Sequence, residues 1–172
     1  LRRFSSDKRS AGAVFDMAAV VRTGLEWVLA SADRMVETRM DVEDALEVEG
    51  HAGRMQQVVM NLVQNALDAM EDVQHPVLCV TAKRDGARVH VRIADNGSGI
   101  PPDVAGHIFD PFFTTKPVGK GTGLGLAICY GTVSDHGGAF SVCNAEQGGA
   151  VMAFDLPAFA PDGAGAAQPE KG

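Results

Sequence analysis

The chain has 172 residues, 45% of them apolar and 22% charged, a composition typical of one globular domain with room for a sizeable core. Its formal charge of −7 argues against a general binder of nucleic acid or of anionic membranes, because such proteins usually carry a basic excess. The three cysteines are widely spaced and form no CxxC pair. Their spacing argues against a disulfide framework or a structural zinc site and favours a reducing compartment.

The hydrophobic pattern of the first 70 residues predicts two helices separated by two short strands. Asp16 is a suitable N-cap for a helix over 16–32, where charged residues interrupt the apolar run that a membrane span would need. Extended segments are expected near 35–40 and 45–49. Apolar residues at steps of three and one then predict a long helix over 55–70 with one continuous apolar stripe.

The rest of the chain predicts a sheet with one helix inserted. Strands are expected over 77–84 and 87–94, joined by the turn dipeptide Asp85-Gly86, and again over 139–144 and 150–156. The glycine-rich stretch 95–125 is long for a structureless loop and predicts a functional lid, followed by a helix over 122–136. The residues from 158 onward are rich in Ala, Gly and Pro and predict a disordered tail.

Three polar residues share one face of the long predicted helix. Asn61, Asn65 and Asp68 fall at i, i+4 and i+7, away from the apolar stripe. Most polar helix faces are simply solvated. However, Asn is a weak helix former, and amide oxygens suit Mg²⁺, which shares its other ligands with waters and phosphates. This helix alone leaves both interpretations open.

Three loop segments could approach a ligand. In DNGSGI (95–100) two glycines permit a sharp turn, and Asp95 could accept a hydrogen bond from an exocyclic amine such as that of adenine, although a simple Asx turn is the alternative. GKGTGLGL (119–126) offers backbone amides to an anion before a helix, and it is neither a Walker A sequence nor a Rossmann turn. FDPFFTTK (109–116) predicts either a small aromatic cluster or a lid whose Lys116 reaches a phosphate.

The order of these segments resembles the GHKL family of ATP-binding domains, and within it the catalytic domain of bacterial sensor histidine kinases. The N-box resembles QVVMNLVQNALDAM, the G1 box DNGSGI, the F-box FDPFFTTK and the G2 box GKGTGLGLAI. The FFTTK and GTGLGLAI segments are most similar to the nitrogen- and dicarboxylate-sensing kinases. Over about 15–157, the resemblance implies an α/β (α+β) two-layer sandwich. In this fold a mixed, mostly antiparallel sheet is backed by helices, and a mobile ATP lid covers the nucleotide.

The resemblance also implies a site for ATP or ADP with Mg²⁺. Asn65 would bind the metal, Asn61 would support it one turn earlier, and Asp95 would read the adenine amine. From their positions we expect Lys116 and Lys120 to neutralise phosphate charge, and we assign Asn61, Lys116 and Thr122 a direct part in phosphoryl transfer. The remaining expected nucleotide contacts are, in chain order, Asp68, Ala69, Gly97, Gly99, Ile100, Phe113, Gly121, Thr122, Gly123, Leu124, Gly125 and Leu126.

A histidine kinase also needs a phosphoacceptor histidine, followed by Glu or Asp and soon by Pro, on a helical hairpin. None of the five histidines has this context, and residues 1–14 resemble the end of a dimerisation helix with its linker. The resemblance therefore implies a cytoplasmic catalytic fragment that binds Mg-ATP without phosphorylating itself. Its partners would be the His-containing dimerisation domain of the same protein, homodimeric at full length, and the receiver domain of a response regulator. No nucleic-acid partner and no membrane contact are expected for the fragment.

Two other functions stay open at this point. DNA gyrase and related ATPases share the fold but hydrolyse ATP with a Glu one turn before the metal-binding Asn. Here Asn61 holds that position and cannot act as a general base. The second alternative is a nucleotide-sensing or interaction module with a decayed site, which four intact boxes argue against. The anti-sigma serine kinases are more distant relatives, and the FFTTK lid fits them less well.

Overall fold

The structure is a computed structural model that describes residues 12–116, 118 and 123–161, and that part of the chain forms seven strands and three helices. In chain order these elements are β1 (Ala13–Asp16), α1 (Met17–Ala30), β2 (Glu37–Val42), β3 (Glu47–Gly50), α2 (Ala52–Ala69), β4 (Val77–Asp85), β5 (Arg88–Asp95), α3 (Gly125–Asp135), β6 (Phe140–Asn144) and β7 (Ala150–Pro157). Each predicted helix and strand has a counterpart, and the predicted mixed sandwich is confirmed.

The main sheet has five strands in the order β2-β4-β5-β7-β6. Only β2 and β4 run parallel, and every other neighbouring pair is antiparallel. β4 and β5 form a hairpin in which Asp85 pairs with Arg88, so the tight turn lies at Gly86 and Ala87, one residue later than predicted. Along β5, alternate residues point into the core, and these include Val89, Val91 and Ile93.

The helices cover one face of this sheet, and α2 supplies the centre of the core. Its predicted apolar stripe is buried throughout; the buried residues of the helix are Met55, Val58, Val59, Leu62, Val63 and Ala66. Each fully buried aliphatic side chain of this size contributes about 1.5–3 kcal/mol relative to exposure. Burial of one stripe fixes the rotation of α2, so its polar face is presented to one side of the domain.

The start of α1 depends on a single carboxylate oxygen. Asp16 Oδ1 accepts hydrogen bonds from the N–H of Ala18, at 2.9 Å, and of Leu46, at 3.0 Å. The predicted N-cap is therefore confirmed, because the first bond satisfies one of the free amides at the helix start. The second bond ties the same helix end to the segment before β3.

β1 is the element that the hydrophobic pattern did not predict. It has only four residues and exists because β3 pairs with it antiparallel, from Ala13 opposite Gly50 to Asp16 opposite Glu47. At the other end of the chain the Phe159 N–H donates to the Glu47 carbonyl at 2.8 Å. Paired structure thus runs slightly past the expected limits of 15 and 157. The predictions for residues 1–11 and 162–172 lie outside the described residues.

Arg34 closes the end of α2. Its guanidinium donates to the carbonyl oxygens of Met70 at 3.1 Å, Glu71 at 2.5 Å and Val73 at 2.5 Å. Met70 is the C-cap residue of α2, and Glu71 and Val73 follow it, so one side chain satisfies three carbonyl groups of the turn that leaves the helix. In the described part of the chain, no helix is both long and apolar enough to cross a membrane.

Candidate functional site

A cavity of about 710 Å³ opens between the polar face of α2, the loop after β5, the segment that precedes α3, and the start of α3 itself. It combines one wall of amides and carboxylates with a second, apolar wall. Pockets of this size and mixed lining are typical of sites for small molecules and cofactors. Twelve of the residues predicted to bind nucleotide line this cavity, and they come from four different parts of the chain.

The polar wall is the predicted face of α2. Asn61, Asn65, Asp68 and Ala69 line the cavity, and Gln64, which the sequence analysis missed, lies between them. The Gln64 amide donates to Asp68 Oδ1 at 2.8 Å, and a second glutamine one turn before Asn61 donates to Asn61 Oδ1 at 3.2 Å. These i, i+4 bonds fix the side chains that face the cavity. The i, i+4 spacing of Gln64 and Asp68 was the signal that could have found it.

Cys129 lies beneath this wall. Burial raises the pKa of its thiol to about 11, although a hydrogen bond with Asn61 partly offsets that effect. The thiol therefore stays protonated at neutral pH and is a poor nucleophile. Cys129 is therefore a packing residue of the core.

Asp95 presents an unpartnered carboxylate oxygen. The residue is only 5% exposed, and its Oδ1 accepts hydrogen bonds from the N–H groups of Gly97, at 2.8 Å, and Ala150, at 3.2 Å. Its Oδ2 is buried and has no partner among the described residues. Burial raises the pKa of this carboxyl, and the two backbone bonds only partly oppose the rise. A buried acceptor that lacks a donor is costly, so Oδ2 is set to receive a donor from a bound ligand.

The loop after Asp95 is fixed by its neighbours. Gly97 packs so closely on the Ala69 carbonyl that an added Cβ would overlap it, and the Ser98 N–H donates to the same carbonyl at 3.1 Å. Asn144 of β6 forms two hydrogen bonds with the backbone of Ile100. Asn144 Oδ1 accepts from the Ile100 N–H at 2.7 Å, and Asn144 Nδ2 donates to the Ile100 carbonyl at 2.9 Å. Hydrogen bonds therefore hold the loop in place where Gly99 and Ile100 line the cavity.

The apolar wall was largely missed from the sequence. Val142 of β6 and Met152 of β7 are directly opposite each other in the sheet and both line the cavity. Val104 and Ile108, from the stretch of successive turns after the loop, also line it. No motif in the sequence marks these residues, and only the sheet register brings Val142 and Met152 to the pocket.

The three phenylalanines of the FDPFFTTK segment have three different surroundings. Phe109 is an anchor, with its ring centroid 5.3 Å from Tyr130 and 5.5 Å from Phe140. Phe113 lines the cavity, as predicted, whereas Phe112 is 75% exposed and has a positive φ of 66°. The segment therefore combines the two interpretations that the sequence left open, an aromatic cluster and a wall of the pocket.

Gly123 joins this segment to α3. Its φ is +69°, and an added Cβ would overlap the backbone of Phe112, so only glycine allows the two segments to meet. Gly123, Gly125 and Leu126 line the cavity, whereas Gly97 and Leu124 adjoin lining residues without lining it. Lys120, Gly121 and Thr122 lie outside the described residues, so their predicted roles stay predictions.

Lys116 crosses the opening of the cavity to α2. Its ammonium group forms an ion pair with Asp68 Oδ2 and lies 3.5 Å from Asn65 Oδ1. Both side chains of the ion pair are about one-third exposed, 33% for Lys116 and 35% for Asp68. Lys116 thus lies at the polar face of α2, where its ammonium group is paired with α2 side chains.

Residues 50–160 match the family described as histidine kinase-, DNA gyrase B-, and HSP90-like ATPases, so the chain belongs to this family. The predicted resemblance is confirmed, and so is the use of a nucleotide at the level of the family. The chain is 38% identical over 144 residues to the sensor histidine kinase ZraS of Escherichia coli K12, covering 83% of this chain and 30% of that protein. It is 36% identical over 159 residues to the C4-dicarboxylate transport sensor protein DctB of Pseudomonas aeruginosa, covering 91% of this chain and 26% of that protein.

Solved structures give the same result for the fold. The mycobacterial sensor histidine kinase MprB superposes with a TM-score of 0.75 at 29% identity, covering 86% of this chain and 97% of that chain. The histidine kinase ThkA, in complex with the response regulator TrrA, superposes with a TM-score of 0.72 at 29% identity, covering 86% of this chain and 42% of that one. The chain spans less than a third of the length of the two curated relatives.

Proposed function

We propose that this chain is the ATP-binding catalytic domain of a sensor histidine kinase, which presents the γ-phosphate of Mg-ATP to a histidine on another domain. The observation that carries the proposal is Asp95 Oδ2, a buried carboxylate oxygen that has no partner in the described part of the chain and adjoins the cavity lined by Asn65 and Lys116. An exocyclic amine would supply the missing donor. A triphosphate on the same ligand would meet amide oxygens and a cation on α2.

The residues present fit a divalent cation. The α2 wall offers the amide oxygen of Asn65 and the carboxylate of Asp68, and an ammonium group already contacts both. Oxygen ligands of this kind suit Mg²⁺, which retains waters and shares phosphate oxygens. When bound, Mg²⁺ supplies charge neutralisation along the phosphates.

In the proposed reaction the chain contributes positioning rather than a nucleophile. Asp95 accepts a hydrogen bond from the adenine amine, and the apolar wall around Val142 and Met152 excludes water from the base. Lys116 offers positive charge to the phosphates, while the γ-phosphoryl group moves from the bridging oxygen of ADP to an imidazole nitrogen that another domain supplies. Orienting the two reactants accounts for most of the catalysis in phosphoryl transfer of this type.

The nucleotide site is tested by calorimetric titration of the chain with a non-hydrolysable ATP analogue, with and without Mg²⁺. We expect magnesium-dependent binding that Asn65→Ala weakens by roughly tenfold or more, the effect of losing one charge-assisted contact. Gln74→Ala, which removes an exposed amide outside the cavity, is the matched control and should bind as the wild type does. Absence of binding by the folded chain would overturn the proposal and favour an interaction module.

Kinase activity is tested by adding a dimerisation domain that carries a phosphoacceptor histidine, together with γ-labelled ATP. We expect label on the added domain and none on this chain alone. Release of inorganic phosphate without transfer would instead favour an ATP hydrolase, which the amide of Asn61 argues against because it cannot accept a proton from water.

We further infer that the full-length protein is a homodimer in the cytoplasm that passes its phosphoryl group to a receiver domain. The solved complex of ThkA with TrrA supports a response regulator as the partner class. The net charge of −7 supports the exclusion of nucleic acid and anionic membranes as partners of this fragment. Transfer of label from the phosphorylated dimerisation domain to a receiver aspartate is the measurement that checks this step.

A further inference from the structure

The ion pair between Lys116 and Asp68 engages the oxygens that the α2 wall would offer to a metal. Lys116 Nζ contacts both Asp68 Oδ2 and Asn65 Oδ1, so a single positive charge lies between a carboxylate and an amide oxygen. These two α2 residues are three positions apart and therefore neighbours on one helix face. Lys116 reaches them from a segment 48 residues further along the chain.

The Asp68 carboxylate oxygen and the Asn65 amide oxygen suit a divalent cation better than they suit an ammonium group. Mg²⁺ in nucleotide sites is usually held by one or two carboxylates, together with phosphates and waters. Two carboxylates line the described part of the cavity: the free oxygen of Asp95 is assigned above to the amine of the base, whereas Asp68 accepts from Gln64 through Oδ1 and turns Oδ2 to a cation beside Asn65. Asp68 is therefore the carboxylate available to a metal beside Asn65.

We propose that Asp68 shares the divalent cation with Asn65, and that Lys116 is its displaceable counter-ion in the free protein. This inference rests on the nucleotide site proposed above and specifies how that site holds its metal. Two positive charges cannot occupy one pair of oxygens, so entry of the metal releases the ammonium group. Because Lys116 belongs to the segment that borders the cavity, the released charge becomes available to the phosphates.

The exposure of the ion pair makes the exchange feasible. A pair that is one-third exposed changes an equilibrium by no more than roughly fivefold, because water screens the attraction. A divalent cation gains twice the charge at the same carboxylate. Lys116 is thus held firmly enough to shield Asp68 from an approaching triphosphate and weakly enough to be displaced.

The test is a titration of the chain with Mn²⁺, followed by the EPR signal of the free ion and by paramagnetic broadening of the Asn65 side-chain amide in NMR spectra. It is carried out without nucleotide and again with a saturating non-hydrolysable ATP analogue. Without nucleotide, Lys116→Met should bind Mn²⁺ about two- to fivefold more tightly than the wild type, since it removes the competitor. Asp68→Asn should bind roughly tenfold more weakly in both titrations, because it removes a charged ligand.

Matched controls separate this exchange from general electrostatics. Glu71→Gln removes a carboxylate one turn beyond Asp68, outside the cavity, and Lys83→Met removes a lysine of β4 that pairs with Asp41. Both should leave Mn²⁺ affinity unchanged. Circular dichroism of each variant confirms that it is folded.

Two results would overturn the inference. Equal Mn²⁺ affinity of Asp68→Asn and the wild type would remove Asp68 from the metal site. Equal or weaker Mn²⁺ binding by Lys116→Met without nucleotide would refute the displacement. If the ATP analogue does not bind at all, the proposed function fails, but the titration with metal alone still decides the roles of Asp68 and Lys116.

Discussion

Asp95→Asn should weaken nucleotide binding while it stabilises the empty protein. The substitution keeps the shape of the side chain and an oxygen that can accept from Gly97 and Ala150, but it replaces Oδ2 with an NH₂ group. A donor would then face the donor amine of the base. Loss of a hydrogen bond to a charged group costs about 1.5–3 kcal/mol, which corresponds to a roughly 10- to 150-fold increase in Kd. Calorimetry with a non-hydrolysable ATP analogue measures this change.

The gain in stability follows from the direction of the pKa shift. Burial raises the pKa of Asp95 in the folded protein, so the folded state holds this proton more tightly than the unfolded state does. The contribution of Asp95 to stability is therefore full below the ordinary aspartate pKa and is lost as the pH rises through the raised value. At neutral pH, Asp95→Asn should raise the free energy of unfolding by about 1 kcal/mol, or roughly 2–4 °C in Tm. The gain should vanish on acidification.

Asp155→Asn is the matched control. Burial alone would raise the pKa of Asp155, but the hydrogen bonds from Arg88, at 2.6 Å, and from the Ala139 N–H, at 2.8 Å, outweigh it and lower the pKa. Its stabilising contribution is present above the ordinary aspartate pKa and is lost as the pH falls through the lowered value. This variant should lose stability at neutral pH and bind the analogue normally. Unchanged analogue affinity in Asp95→Asn, or a lower Tm than the wild type at neutral pH, would refute the reasoning for Asp95.

Three further substitutions or reactions test the packing around the site. Gly123→Ala places a methyl group against the Phe112 backbone at positive φ, so the analogue Kd should rise roughly tenfold, by calorimetry, with little change in Tm. Gly50→Ala places a methyl group in the ring of His136 and should lower the free energy of unfolding in urea by about 1–3 kcal/mol; an unchanged midpoint would contradict this overlap. Burial raises the pKa of Cys129 to about 11, so iodoacetamide should label this thiol only after unfolding. The exposed cysteine of β6 should react at once in the folded protein. Equal labelling rates of the two cysteines, followed by mass spectrometry, would show that the Cys129 thiol is accessible.

The polar wall of the pocket could be predicted because it depends on local rules. A helix with one apolar stripe must bury that stripe, and burial of Leu62 and Val63 turns Asn61 and Asn65 outward. In the strand predicted over 87–94, successive residues likewise point to opposite faces of the sheet. In both cases the spacing along a single element determines which way a side chain points.

The rest of the site depends on pairings between distant parts of the chain. Val142 and Met152 reach the cavity through the register of β6 against β7, which no motif encodes. The ion pair of Lys116 with Asp68 joins residues that are 48 positions apart. The sequence predicted that each residue contacts the nucleotide, but it did not predict that they contact each other. β1 has too few residues for a period to be recognised, and its partner strand alone gives it structure.

The β1–β3 ribbon links the start of the described chain to α2, the helix that carries the polar wall of the cavity. Ala13 is paired with Gly50, and α2 begins two residues later at Ala52. The backbone of Gly12 lies so close to Gly50 that an added Cβ would be 2.6 Å from the Gly50 Cα. Tension applied to the chain at residue 12 is therefore divided between the covalent path from β1 into α1 and the hydrogen-bonded path through β3 to the first turn of α2. The stiffness of that four-residue ladder sets how much of a pull or a twist at residue 12 reaches the helix as rotation.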